Sequence, residues 1–472
     1  MFIVQEEITF FKNLHRLGIV YNRNYPIKVL LLVIKELLLA ILKVLFEPQP
    51  HHRSKEILLT IMEMSDISKY LNDDTVFNAI NKQFVSLQQK DIKECNIHVQ
   101  KVVNELVKRM SNADTFFKTV YQRILFGGSF YKGTKVGFPE EFDLNIIIKL
   151  PINYNLIKVE SCQPGFVKIY SGLKPNELTD DLKVHRGLKK LLDQNMYLDQ
   201  EKFRRWMESI LTKTVAKLPG QDGCRLLYTD SKQYKICIRK NGPAFSLYIE
   251  IFDNKIICID LVPVLELIQE VPNIRYNLRY FQKKNWFAVP KPLGDKGMYL
   301  YWRTSFYEQE KEILSKNGKI KPVFRQIKKL RDTQHWKHLA SYYIETLLLH
   351  VLKENINLET KSCTFLFMMM LENLHIALKN KCIPYYWDTN YNLLSRLKYE
   401  EISNIEGRLR NIILKINRCI QNDPFVIASY ILNAQELLIL KYPQNKETLE
   451  DPQNRKSLEC QHSSNNWNCA IL

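Results

Sequence analysis

At 472 residues and 56.0 kDa the chain is too long for one ordinary domain and long enough to bury a sizeable core in two or three. A composition of 46% hydrophobic and 25% charged residues, with 15 Gly against 23 Phe and 24 Tyr, excludes disordered, collagen-like and linker-repeat classes. Lysine and arginine (68) outnumber aspartate and glutamate (50), and the resulting charge of +18 favours a polyanionic partner, nucleic acid or an anionic membrane.

The first residues carry Glu6, Glu7 and Lys12, so no cleavable secretory signal is expected. The stretch 29–46 is apolar except for Lys35, Glu36 and Lys43, charges that speak against a membrane span. Lys28, Lys35 and Lys43 would line one stripe of a helix whose broad apolar face could dock on the fold or lie in a membrane interface. The run 47–55, rich in Pro, His and basic residues, reads as a linker. From 96 to about 117, Val99, Val102, Val103, Leu106 and Met110 recur at helical spacing, with Lys101, Lys108 and Arg109 on the other side. That pattern predicts a long amphipathic helix with a basic flank.

A Gly-Gly-Ser turn at 127–129 precedes a strand predicted over 141–150, and a hairpin is expected from 244–252 and 255–262 around Asp253-Asn254. After Tyr301 the pattern turns helical to about Leu440, with apolar helices at 341–352 and 363–376. Beyond Tyr442 it becomes polar and aperiodic, a disordered tail. The expected class is α+β and bilobal: an extension over 1–55, a mixed α/β lobe with the long helix over 56–295, a helical lobe over 296–441, and the tail 442–472. The ten cysteines are scattered, with no C-x-x-C pair and no Cys/His cluster at zinc-finger spacing, so a reduced cytosolic protein is the simplest reading.

Glu141-Phe142-Asp143 opens the first predicted strand, where the two-residue period turns both carboxylates to one face and Phe142 to the other. Such a pair can hold Mg2+ through oxygen, although the same spacing is more often a solvated face. Asp260 stands in an otherwise apolar run, Ile256-Ile257-Cys258-Ile259-Asp260-Leu261-Val262, where a buried charge needs a cation or a salt bridge. Gly128-Ser129 lets backbone approach a phosphate. Gly-Ser, a short spacer, two strand carboxylates and a distant third Asp are what two-metal nucleotidyl transfer requires.

The string GGSFYKGTKVGFPEEFDLNIIIKL at 127–150 resembles the active-site strand of the cyclic GMP–AMP synthase family. YWRTSFYEQEKEIL at 301–314 is similar to that family's helical-lobe signature, and IKKLRD with HLASYYIET at 338–346 to its nucleobase-contacting region. The resemblance implies a bilobal nucleotidyltransferase fold whose spine is the long helix, with two ions, Mg2+ or Mn2+, on Glu141, Asp143 and Asp260. It implies ATP or phosphate contacts at Ser129, Glu310, Lys328, Ser341 and Tyr342, and GTP contacts at Asp260, Arg303 and Ser305. Those residue types suit their roles: Arg303 offers a planar donor fork, Lys328 a point charge and Tyr342 a face for a base. Taken alone, Tyr342 reads as core and Lys328, among Lys321, Arg325, Lys329 and Arg331, as a wet helix face.

The family's vertebrate DNA sensor carries a His/Cys zinc ribbon in its helical lobe, whereas 302–346 hold no cysteine. No zinc is therefore expected, and the chain is more similar to the zinc-free insect receptors, several of which respond to double-stranded RNA. A duplex groove would use Lys101, Lys108 and Arg109, with Arg186, Lys189, Lys190, Arg204 and Arg205, and would read shape through phosphates and 2′-hydroxyls. A ligand-induced dimer is compatible with that reading. The ending Cys469-Ala470-Ile471-Leu472 has C-a-a-X form with a Leu that favours geranylgeranylation, and Cys460 or Arg455-Lys456 could supply the second membrane anchor. The expected function is a cytoplasmic, nucleic-acid-activated nucleotidyltransferase that makes a cyclic dinucleotide from ATP and GTP as an antiviral second messenger. A template-independent RNA nucleotidyltransferase and an inactive scaffold of the same superfamily stay open as alternatives.

Overall fold

The computed structural model describes residues 68–443 apart from short segments at 179–181, 222, 231, 242–243, 252–254, 292–297 and 354–357. The amphipathic segment 29–46, the linker 47–55 and the tail with Arg455, Lys456, Cys460 and Cys469 lie outside the described residues.

Helix α1, Gln89–Ala113, buries Cys95, Val99, Val102, Val103, Leu106, Val107 and Met110, the stripe that the helical spacing predicts. It begins earlier and stops sooner than expected, because Asp114 is extended and accepts a hydrogen bond from the Phe117 N–H at 2.7 Å. Asp114 thereby caps a separate short helix, Thr115–Val120.

The sheet is then laid down around α2, Gly128–Tyr131, a single helical turn between β1, Tyr121–Phe126, and β2, Glu141–Ile148. Next come β3, Lys158–Gln163, β4, Phe166–Tyr170, and helix α3, Gln200–Ala216. The remaining strands are β5, Gly220–Gln221, β6, Cys224–Tyr228, β7, Gln233–Asn241, β8, Ala244–Glu250, β9, Ile256–Leu267, β10, Trp286–Val289, and β11, Trp302–Ser305. They join into one sheet of order β3-β4-β11-β10-β9-β8-β7-β6-β5, with β2 on β9 and β1 on β2.

Strand β9 organises that sheet. Its first half pairs antiparallel with β8, Asp260 opposite Ser246, and its end with β10, Leu265 opposite Ala288. Alongside it β2 runs parallel, from Glu141 opposite Cys258 to Ile148 opposite Leu265, the one parallel pairing among the described residues. A strand enclosed on both faces is apolar nearly throughout, and β9 buries Ile257, Ile259, Leu261, Val262, Val264 and Leu265.

The helices that follow are α4, Tyr307–Lys316, α5, Ile320–Thr333, α6, Ser341–Lys353, α7, Cys363–Lys379, α8, Tyr399–Cys419, and α9, Ala434–Lys441. Helix α7 is apolar nearly all round, as a central helix packed by α5 and α8 must be. The mixed sheet followed by a helical C-terminal part is the α+β class that the sequence leads one to expect.

Two local expectations are corrected. The pattern after Tyr301 reads as helical, but Trp302–Ser305 is β11, held between β10 and β4, and helix starts only at Tyr307. The Trp302 indole N–H donates to the Leu198 carbonyl at 2.9 Å, a contact from a distant part of the chain that a four-residue window cannot reveal. The cysteines are not all reduced: Cys224 and Cys237 form a disulfide across the β6–β7 hairpin. Their separation of 13 along the chain matches no motif, and strand register alone brings the thiols together.

Candidate active site

Glu141 and Asp143 alternate with the buried Phe142 and Leu144 along β2, so both carboxylates share the more open face. Phe142 packs at 4.7 Å from Phe130, which ties β2 to α2. Parallel pairing sets Asp143 directly across from Asp260, so residues remote in sequence become lateral neighbours. One carboxylate oxygen from each of Glu141, Asp143 and Asp260 lies within 4.8 Å of the other two. Asp260 is held by the Ser246 hydroxyl and by the Cys258 thiol at 3.7 Å, both donating to Oδ1.

The Gly-Gly-Ser turn is pressed against this cluster. The Gly127 N–H donates to the Asp143 carbonyl at 2.8 Å, and Gly128 has φ +68°. A Cβ on Gly128 would stand 2.6 Å from Cγ of Asp143, so only glycine fits. Behind it the Thr134 N–H and hydroxyl donate to the Ser129 carbonyl at 2.8 and 3.3 Å, holding the turn at its far side.

Burial, then the charges of Glu141 and Asp260, push the Asp143 carboxyl up to about 7, while Lys135 and Lys328 pull the other way. Three mutually repelling carboxylates offering oxygen alone are a donor set for a hard divalent cation such as Mg2+ or Mn2+. The residues present therefore fit such an ion. The ammonium of Lys135 lies 3.9 Å from Glu141. Burial, helped by Arg331 and Lys135, lowers Lys328 to about 8, and its ammonium donates to the Thr134 carbonyl at 3.0 Å.

The other predicted contacts fall into three places. Glu310 and Tyr342 meet: the Tyr342 hydroxyl donates to Glu310 Oε1 at 2.8 Å, the Trp387 indole N–H to the same oxygen at 3.1 Å, and the Lys132 ammonium to Oε2 at 2.9 Å. Ser341, first residue of α6, accepts from the Arg331 guanidinium. Arg303 is buried on β11 in an aromatic cage, its guanidinium 4.2 Å from the Tyr385 ring centre, 4.7 Å from Tyr391 and 5.3 Å from Phe166. Its Nη1 donates to the Gly165 carbonyl at 3.2 Å, and the Gly165 N–H donates to Asp388 at 2.8 Å. Ser305 is half-buried at the end of the same strand.

On α1, Lys108 is exposed and Arg109 half-exposed, and both pair with Glu105, at 3.9 and 2.7 Å. Lys101 is exposed on the same helix. Sequence reasoning missed Lys132, Glu345 and the segment Tyr385-Tyr386-Trp387-Asp388; only the density of aromatics in that segment could have drawn attention to it.

The model of the Mab-21 protein nucleotidyltransferase domain matches residues 130–316, and that of the Mab-21 protein HhH/H2TH-like domain matches 319–422. Proteins called cyclic GMP-AMP synthase-like receptor are similar over most of the chain. That of Trichogramma pretiosum is 40% identical over 383 residues, 78% of either chain. That of Microplitis demolitor is 39% identical over 386, covering 80% of this chain and 71% of the relative, and that of Tribolium castaneum 34% over 394, covering 80% and 96%. The chain belongs to this family, the cyclic GMP-AMP synthase-like receptors built on a Mab-21 nucleotidyltransferase domain. In this family frame Glu141, Asp143, Asp260, Arg303 and Glu310 come from the nucleotidyltransferase domain, and Lys328, Ser341 and Tyr342 from the HhH/H2TH-like one.

Proposed function

We propose that this nucleotidyltransferase joins ATP and GTP into a cyclic dinucleotide when double-stranded RNA lies along the basic flank of α1. The observation that carries the proposal is the convergence of Glu141, Asp143 and Asp260 beside the Gly128-Ser129 turn. In each of two successive displacements a ribose hydroxyl attacks an α-phosphorus and pyrophosphate leaves. Ions bound on the three carboxylates would neutralise the triphosphate and favour the ionised acceptor hydroxyl. The amides and hydroxyl of the Gly128-Ser129 turn bind phosphate oxygens, and Lys328 and Lys135 add positive charge beside them. Glu310 and Tyr342 orient one base, and Arg303, made rigid by its aromatic cage, with Ser305 orients the other. Lys101, Lys108 and Arg109 meet the duplex backbone. The same reading puts the protein in the cytoplasm.

The test is incubation of the purified chain with labelled ATP and GTP, Mg2+ or Mn2+, and a panel of duplex RNAs and DNAs, with products separated by thin-layer chromatography. A cyclic product that appears only with duplex RNA and disappears in Asp260→Asn supports the proposal. Extension of an RNA end would replace it with the polymerase reading, and no turnover with any duplex would leave a scaffold.

A further inference from the structure

Lys132 follows α2 in the string Phe130-Tyr131-Lys132-Gly133, where sequence alone makes it one more surface lysine. In the structure it is 5% exposed. Its ammonium donates to Glu310 Oε2 at 2.9 Å and to Glu345 Oε1, and lies 5.0 Å from the Tyr307 ring centre. Glu310 and Tyr307 belong to α4 and Glu345 to α6, so one side chain from the phosphate turn spans both matched domains. The same loop is gripped twice more: Arg325 Nη1 donates to the Gly133 carbonyl at 3.0 Å, and Lys328 to the Thr134 carbonyl at 3.0 Å.

A buried lysine between two buried glutamates is a poor choice if the sole task is adhesion, since apolar residues of similar volume serve as well or better. What the ions add is direction. With Oε2 fixed by Lys132, Glu310 turns Oε1 to the Tyr342 hydroxyl and the Trp387 indole, so the lysine sets a carboxylate that sets a tyrosine ring. Burial works against the charge on Lys132, but Glu310 and Glu345 outweigh it and hold the ammonium above its ordinary range.

We infer that Lys132 is a positioning residue for nucleotidyl transfer: it locks the Glu310–Tyr342 pair in register with the Ser129 turn, so that base and triphosphate of one purine nucleotide are held together. The inference rests on the nucleotide-transfer reading above and adds to it a residue that touches no substrate.

The test compares Lys132→Met, Lys132→Arg and Lys132→Met/Glu345→Gln in the full chain. Affinity for N-methylanthraniloyl ATP with Mn2+ is read by fluorescence anisotropy, KM and kcat by product formation, and folding by thermal melts. Lys132→Met should raise the probe's Kd and the KM for ATP roughly tenfold, the scale of one lost charge-assisted hydrogen bond. Lys132→Arg should restore most of that affinity. The double variant removes the stranded charge on Glu345, so it should regain the melting temperature while its Kd stays raised. Recovery of affinity together with melting temperature, or wild-type affinity in a folded Lys132→Met protein, would overturn the inference. Wild type that binds the probe but makes no product with any duplex removes the transfer reading and leaves the affinity comparison standing; wild type that does not bind it removes both.

Discussion

Gly128 is the residue on which the site's geometry depends most directly, because its backbone fills the space where any side chain would press on Asp143. In Gly128→Ala the left-handed backbone alone costs about 1–2 kcal/mol, and the Cβ overlap displaces either the turn or the carboxylate. A lowered melting temperature and a loss of Mn2+ affinity of at least about tenfold are expected; unchanged Mn2+ binding by isothermal titration would show that the close approach is immaterial to the metal. Asp143 carries a second residue-scale prediction. Its carboxyl is raised from 3.8 in the free side chain to about 7 in the metal-free protein. Between those values the folded state keeps a proton that the unfolded state has lost, so metal-free stability falls as pH rises through that window. A cation binds the ionised form, so Mn2+ affinity should rise from pH 6 to pH 8 with release of a proton, and Asp143→Asn should flatten that dependence. Calorimetry in buffers of different ionisation enthalpy reads the proton directly.

At the scale of elements, β11 illustrates how the side chain proposed to contact a base is made rigid. Arg303 reaches from this strand into three aromatic rings, and the β3–β4 turn accommodates it only because Gly165, at φ +73°, has no side chain to collide with the guanidinium. Lysine keeps the charge but loses the planar stacking, so Arg303→Lys should destabilise the fold by about 1–3 kcal/mol and raise the KM for GTP more than that for ATP. Denaturant melts and separate substrate titrations check the two parts; equal effects on both nucleotides would remove Arg303 from the GTP side. The elements also explain what sequence could and could not reveal. Strand alternation puts Glu141 and Asp143 on one face and an apolar run singles out Asp260, but only the family resemblance joined the three in sequence, and the β2–β9 register is what brings them together. The hairpin of β8 and β9 and the apolar stripe of α1 were legible from local pattern alone. Lys132, the Arg303 cage and the Cys224–Cys237 bond were not, since each depends on register or on packing between segments far apart in the chain, and periodicity carries neither.

For the whole molecule the question is how a surplus of positive charge is spent. Glu105 already pairs with Lys108 and Arg109 on α1, so under the proposed function a duplex phosphate has to compete with it. Glu105→Gln should therefore strengthen duplex RNA binding at low salt, and for wild type a rise from about 50 to 200 mM salt should weaken it roughly 40-fold if three phosphates are neutralised. Fluorescence anisotropy of a labelled duplex measures both, and salt-insensitive binding would point to a different activator. The parallel pairing of β2 with β9 also has a meaning in time. Two of the three clustered carboxylates leave the ribosome with β2, but the third arrives with β9, after β3 to β8 have been made. A parallel partner cannot be supplied by a tight turn, so the half-made chain has two carboxylates and no site. A product that ends before Asp260 therefore lacks the third carboxylate of the cluster, and under the proposed function an unfinished copy of the chain raises no signal.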